Sequence, residues 1–246
     1  MNFELEICCY NFLSCLVAEQ AGATRIELCA DPGDGGVTPG YGTIRIVKER
    51  TRIPVYPIIR PRGGDFLYDA DEFGIMQKDV LVCKELGCEG VVIGLLQADG
   101  SVDKKRVAML VEMAYPMGVT FHRAFDRAVN PFEALATIID TGCERILTSG
   151  QRPLAADAIP LLDELVRNAD DHIIIMPGSG VRASNIARLA AGTGAREFHS
   201  SARIAANSGM LFTASHMNES LQTVLADKTE IEQMVQQLKT AFPVIS

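Results

Sequence analysis

The sequence predicts an α/β protein built as a (β/α)8 barrel, the TIM-barrel architecture, on three observations. First, one joint recurs: a helical pattern stops at Gly, one or two residues follow, and a short apolar strand begins. It is read at Ala21-Gly22-Ala23-Thr24-Arg25-Ile26, Leu86-Gly87-Cys88-Glu89-Gly90-Val91, Met117-Gly118-Val119-Thr120, Thr141-Gly142-Cys143-Glu144-Arg145-Ile146 and Thr193-Gly194-Ala195-Arg196-Glu197-Phe198. Glycine past a helix end accepts the left-handed backbone that other residues resist. Second, strand-like and helical runs alternate along the whole chain. Third, 246 residues suit such a barrel, typically ~250 residues long. No Pro/Ser-rich linker, charge block or low-complexity tract divides the chain, so residues 1–246 are read as a single domain. An open doubly wound sheet is the alternative with the same local pattern.

In chain order, strands are expected at Phe3–Cys8, Arg25–Cys29, Val55–Arg60, Gly90–Leu95, Val119–Arg123, Arg145–Thr148, Ile173–Met176 and Arg196–Ser200. Helices are expected at Phe12–Ala21, Thr43–Thr51, Asp71–Leu86, Asp103–Tyr115, Pro131–Thr141, Pro160–Asn168, Ala183–Ala191 and Ile231–Thr240. Asn130-Pro131-Phe132-Glu133 supplies an N-cap, a proline at the first helical position and a capping-box Glu. Thr229 and Glu232 offer a second capping box before the last helix. Strand polarity follows from alternation: Leu5, Ile7, Ile26 and Leu28 face the helices, which turns Glu4, Glu6, Cys8, Glu27 and Cys29 inward. By the same count Thr120, His122, Glu197 and His199 point into the barrel. Such an interior is far more polar than the Val, Ile and Leu layers usual in this fold.

Composition narrows the function. Apolar residues make up 48% and charged residues 22% of the chain, the balance of a folded soluble protein rather than a disordered one. Thirty-one Asp plus Glu against 23 Lys plus Arg give a net charge of −8. No basic run tracks a phosphate backbone, which argues against nucleic acid as a partner. The opening Met1-Asn2-Phe3-Glu4 has no signal-peptide pattern and no stretch is apolar enough to span a bilayer, so no membrane role is expected. Seven cysteines without CxxC pairs suit reduced thiols in a cytoplasm better than a disulfide framework.

The chemistry gathers at the carboxyl ends of the strands, where barrels bind ligands. Thr120-Phe121-His122-Arg123-Ala124-Phe125-Asp126 is a strand ending in three reactive side chains. Glu6, Glu27, Arg60, His122, Arg123, Asp126 and His199 can compensate one another's charge there, either as a site or as an internal ion-pair network that only closes the barrel. Arg60 sits in the stiff Pro57-Ile58-Ile59-Arg60-Pro61-Arg62-Gly63-Gly64 stretch and offers a planar fork for carboxylate or phosphate oxygens, or neutralises the acidic interior. Pro177-Gly178-Ser179-Gly180 and His199-Ser200-Ser201 follow the last two strands, the usual position of a phosphate site in this fold, and Thr148-Ser149-Gly150 can add donors. Gly178, Gly180, Ser149 and Ser200 are therefore candidate ligand contacts, with a plain tight turn as the alternative for Gly178-Ser179-Gly180. Cys8 and Cys29, on adjacent strands, put two inward sulfurs about 5 Å apart, close enough to share one soft ion or simply to fill the core.

Glu6-Ile7-Cys8-Cys9, Arg25-Ile26-Glu27-Leu28-Cys29, Gly35-Gly36-Val37-Thr38-Pro39, Pro57-Ile58-Ile59-Arg60-Pro61-Arg62-Gly63-Gly64-Asp65-Phe66, Thr120-Phe121-His122-Arg123-Ala124-Phe125-Asp126, Leu147-Thr148-Ser149-Gly150 and His199-Ser200-Ser201-Ala202 together resemble the copper homeostasis family CutC. The resemblance runs from Glu4 to about Ala202, and the tail beyond Gly209 carries no matching motif. It implies a TIM barrel, a cytoplasmic location, a homo-oligomer and a role in copper tolerance. Two functions follow as expectations. In one, Cys8 and Cys29 bind Cu(I) for buffering or delivery. In the other, the barrel is an enzyme of the proton-transfer, lyase or isomerase type acting on a small anionic or phosphorylated metabolite. There Glu27, His122 and Asp126 are catalytic, and Glu6, Arg60, Arg123, Ser149, Gly178, Gly180, His199 and Ser200 bind substrate. A bare interaction scaffold is the third reading.

Overall fold

The computed structural model describes residues 2–214, 216–218 and 220–243. Strand and helix alternate as β1 Glu4–Cys9, α1 Phe12–Gln20, β2 Arg25–Leu28, α2 Tyr41–Arg50, β3 Val55–Pro57, α3 Ala70–Glu85, β4 Gly90–Ile93, α4 Lys104–Ala114, β5 Gly118–Phe121, α5 Pro131–Ile139, β6 Arg145–Thr148, α6 Ile159–Ala169, β7 Ile174–Pro177, α7 Ile186–Thr193 and β8 Glu197–Ser200. A hairpin, β9 Arg203–Ala206 with β10 Thr223–Ala226, then precedes α8 Lys228–Ala241. Parallel ladders join β3-β2-β1-β8 and β4-β5-β6-β7. Ile58 bridges to Val92, and β7 lies beside β8, so the two sheets meet at both edges and close the barrel.

Caps explain most helix starts. Asn11 Oδ1 accepts from Ser14 N, Asp69 and Glu72 form a reciprocal capping box, and Asn130 caps α5 ahead of Pro131. The expected Thr229/Glu232 box is corrected: Asp227 caps α8 instead, accepting from Thr229 and Glu230 backbone N–H, because its carboxylate already stands one residue before the first turn. Four of the five Gly joints hold left-handed glycines, at Gly22, Gly87, Gly142 and Gly194. Gly118 is different. It is the first residue of β5, and a Cβ there would meet Glu144 Oε2 at 2.3 Å and Tyr56 Oη at 2.6 Å, so close approach rather than backbone sign requires glycine.

The alternation expected of the strands is observed. Leu5, Ile7, Ile26, Leu28, Val91, Phe121, Ile146 and Phe198 join the large core between sheet and helices, whereas Cys8, Cys29, Tyr56, Ile58 and Val92 form a small separate cluster inside the barrel. The β9–β10 hairpin falls in the tail for which no sequence motif gave an expectation. It is tied down by Asn11 Nδ2 donating to the Val224 carbonyl and by Ala226 N donating to Ser14 Oγ.

Candidate functional site

Two polar layers occupy the barrel. The lower one is an ion-pair chain. Arg25 Nε meets Glu6 Oε2 at 2.5 Å, Arg25 Nη2 meets Glu197 Oε2 at 2.7 Å, and Arg145 Nε meets the same oxygen at 3.0 Å. The Tyr56 ring lies against both guanidinium groups, 5.3 and 5.4 Å from their central carbons. Burial alone would lift the Glu6 carboxyl, but Arg25 and His199 outweigh it and hold the group down to about 2. Arg25 and Arg145 were not singled out in the sequence, although Arg25 is two residues before Glu27 on the same face of β2.

The upper layer begins on the same Glu6. Its second oxygen lies 2.7 Å from His199 Nδ1, and His199 Nε2 lies 3.7 Å from Glu27 Oε2. Cys8 and Cys29 come together with their sulfurs 3.6 Å apart, nearer than the strand spacing alone implied. One ligand atom each from Cys8, Glu27 and Cys29 fit within 4.8 Å of one another. The adjoining Cys29 thiol, opposed by burial and helped by His199, holds Cys8 well below the usual thiol range. Cys29 moves the other way, through burial and its bond to Cys8. Burial and the neighbouring Cys8 push Glu27 up. For His199 burial favours the neutral ring, yet Cys8, Glu6 and Glu27 together raise it well above its ordinary value. Within this cluster Cys8 is the sulfur favoured as thiolate and His199 the ring favoured as imidazolium.

Above this layer opens a cavity of about 930 Å3, whose walls include Cys8, Glu27, Arg60, Phe66, His122 and His199. Arg123, Gly180 and Ser200 also reach it, and Tyr10, Arg127, Arg182 and Arg203, none of them singled out in the sequence, add to its wall. Arg60 is buried, with Nη1 donating to the Asp34 and Gly36 carbonyls and Nη2 to that of Gly64. His122 follows β5; its Nδ1 accepts from Ala124 N at 3.1 Å, and burial followed by the Arg60 charge depresses its pKa to about 3. Its imidazole is therefore neutral at physiological pH and carries its proton on Nε2.

The remaining predicted residues stand behind the wall. Asp126 accepts from Thr148 Oγ1, Ser149 N, Ser149 Oγ, Gln151 N and Arg123 Nε. It fixes Arg123, and among the described residues it makes no hydrogen bond to the His122 ring. Ser149 is fully buried; its one hydroxyl proton faces both Asp126 and the Arg152 carbonyl, and its oxygen accepts from Arg123 Nη2. A Cβ at Gly178 would meet Leu147 Cδ1 at 2.3 Å and His199 Cβ and Cδ2 at 3.3 Å, so this glycine makes room chiefly for Leu147 and also for His199. Ser200 Oγ donates to the Val181 carbonyl and joins the two final loops.

A closed barrel with charged side chains gathered at the carboxyl ends of its strands defines the class: an (β/α)8 protein with a polar central cavity. The model of the CutC family matches residues 3–204. A CutC family protein of Chromobacterium violaceum is 51% identical over 203 residues, covering 82% of each chain, and one of Parabacteroides distasonis is 48% identical over 236 residues, covering 93% of this chain and 97% of its own. A solved structure described as a candidate copper homeostasis protein CutC from Streptococcus agalactiae superimposes with a TM-score of 0.77 at 30% identity, over 81% of this chain and 98% of that one. The chain belongs to the CutC family. Phosphoribosyl anthranilate isomerase of Thermotoga maritima, at 10% identity and a TM-score of 0.62 over 97% of this chain and 99% of its own, shares the fold alone. Among the described residues no helix is long and apolar enough to cross a membrane.

Proposed function

We propose that this chain serves copper homeostasis by taking up Cu(I) between Cys8 and Cys29, for buffering or delivery. The observation that carries the reading is the pair of buried sulfurs 3.6 Å apart beside the central cavity. Thiolates are soft ligands that prefer Cu(I), and a barrel interior shields the ion from water. Glu27 supplies a harder third donor within 4.8 Å. The reading assigns the protein to the reducing cytoplasm, as one domain over residues 1–246 and as a homo-oligomer. A Cu(I) titration of the reduced protein against a competing chelator tests it: stoichiometric uptake is expected in the wild type and its loss in Cys8→Ser/Cys29→Ser. Uptake by the double variant equal to wild type rejects the site.

A second reading is favoured by the cavity itself. Its volume of about 930 Å3 is that of a small-molecule site and far exceeds the needs of one ion. Here a small anionic or phosphorylated substrate enters the mouth, and Glu27 and His122 are the groups nearest the chemistry. Arg60, Arg123, Gly180, His199 and Ser200 shape the binding, with Glu6 behind His199, Asp126 and Ser149 behind Arg123, and Gly178 behind His199. Glu27→Gln is expected to abolish turnover of such a substrate with the fold intact; undiminished turnover removes Glu27 from the mechanism.

A further inference from the structure

Among the described residues, three buried side-chain atoms have no hydrogen-bond partner: Arg60 Nε, His122 Nε2 and the Tyr68 hydroxyl. Buried polar groups are almost always satisfied, so clustered exceptions call for an explanation. Two of them, on Arg60 and His122, flank one aromatic ring. The Phe66 ring centroid lies 5.1 Å from the Arg60 guanidinium carbon and 5.0 Å from the centre of the His122 ring. Arg60 also acts on both other groups, depressing the His122 pKa and opposing the burial that lifts the Tyr68 hydroxyl to about 12. Arg60, Phe66 and His122 all line the cavity.

Arg60 follows β3 and His122 follows β5, with β4 between them. Gly94, the residue after β4, lets the imidazole lean across: a Cβ there would stand 2.3 Å from His122 Cε1 and Nδ1. Each of the two cavity-lining orphans is a donor. The Arg60 guanidinium offers N–H donors and no acceptor, and His122 Nε2 keeps its proton because Nδ1 is the acceptor for Ala124 N. Two donors on one wall, one of them on a guanidinium, favour an acceptor that carries negative charge.

We infer that Arg60 Nε and His122 Nε2 form a carboxylate-binding subsite in the central cavity, with the Phe66 ring as the side chain that turns aside when the carboxylate enters. The inference deepens the small-anion reading above and rests on it; it is independent of copper at Cys8 and Cys29. A carboxylate matches the donor count, since one planar group accepts from both nitrogens. A phosphate dianion has more acceptor oxygens than these two donors can meet.

The test follows the side-chain 1H–15N resonances of the histidines in metal-free, reduced protein during titration with malonate and, at matched ionic strength, inorganic phosphate. Malonate is expected to move the His122 Nε2–H resonance and to bind about tenfold more weakly to His122→Phe, the loss of one charge-assisted hydrogen bond. The wild-type resonance keeps the test valid if the variant folds poorly. Malonate binding that leaves the resonance unmoved, or that persists undiminished in His122→Phe, overturns the subsite while the small-anion reading stands. A resonance moved by phosphate and not by malonate overturns the carboxylate class. No binding of either at millimolar concentration overturns both.

Discussion

His122 makes acid stability a direct reading of how the upper site is built. In the unfolded chain a histidine titrates near ~6.5; in the fold its pKa is depressed to about 3, so the folded protein keeps a neutral ring where the unfolded chain takes up a proton. Stability from this group is therefore full above the unfolded value and is lost as pH falls toward the folded one. Each pH unit inside that window is worth at most ~1.4 kcal/mol. Between about pH 6.5 and 4.5 the integrated loss is about 2 kcal/mol, and the ring is too well buried for solvent screening to reduce it. His122→Asn removes the titration and keeps an oxygen able to accept from Ala124 N. Carboxylates titrate in the same range, so the quantity to measure is the difference between wild type and variant. Urea unfolding followed by far-UV circular dichroism at the two pH values gives it, there being no Trp to report by fluorescence. The variant is expected to lose about 2 kcal/mol less than wild type on acidification. Equal losses would mean that His122 is protonated in the fold, and its role as a neutral donor would fall.

Further perturbations probe other parts of the barrel. Glu197→Leu strands Arg25 and Arg145 without their shared carboxylate and is expected to cost about 3–5 kcal/mol in urea unfolding; a cost below about 1 kcal/mol would show that water reaches the layer. Gly94→Ala drives a methyl into the His122 ring, with an expected penalty of about 1–3 kcal/mol and weaker malonate binding, whereas unchanged binding would detach Gly94 from the subsite. Asp227→Ala removes the observed cap of α8 and should cost about 1 kcal/mol. Thr229→Ala should cost less, and the reverse order would restore the capping box read from the sequence.

Much of the barrel was legible because it is written in local code. The Gly joints, the caps at Asn130 and the apolar runs each act within a few residues, and two-residue alternation carried Glu6, Cys8, Glu27, Cys29 and His199 to the inside. The convergence of Cys8 with Cys29 followed from adjacency of their strands. What stayed hidden depends on contacts across the barrel. Arg25 has the inward parity of Glu27, but only its ties to Glu6 and Glu197 show that a guanidinium belongs there. Nothing near Asp126 in sequence reveals that Thr148, Ser149 and Gln151 converge on it. Gly94 looked like any strand-end glycine until the ring leaning over it was in view. The β9–β10 hairpin carries weak, half-exposed strands, whose order comes from Asn11 and Ser14 at the far end of the chain.

The lower ion-pair chain also sets an order of events. Glu6 and Arg25 are made early, Arg145 much later, and Glu197, which joins both arginines, belongs to the last barrel strand. In a ribosome-bound chain that has emerged only as far as β7, Arg25 has Glu6 but Arg145 has only the half-exposed Glu144, so the interior lacks the buried carboxylate that the two guanidinium groups share. Such an intermediate has reason to stay open and hydrated, because desolvating unpaired charges is costly. When β8 arrives, one carboxylate neutralises that interior across 172 residues of separation. Completion of the barrel and burial of its charges therefore happen together, which favours an all-or-none closing step over gradual accretion of β/α units.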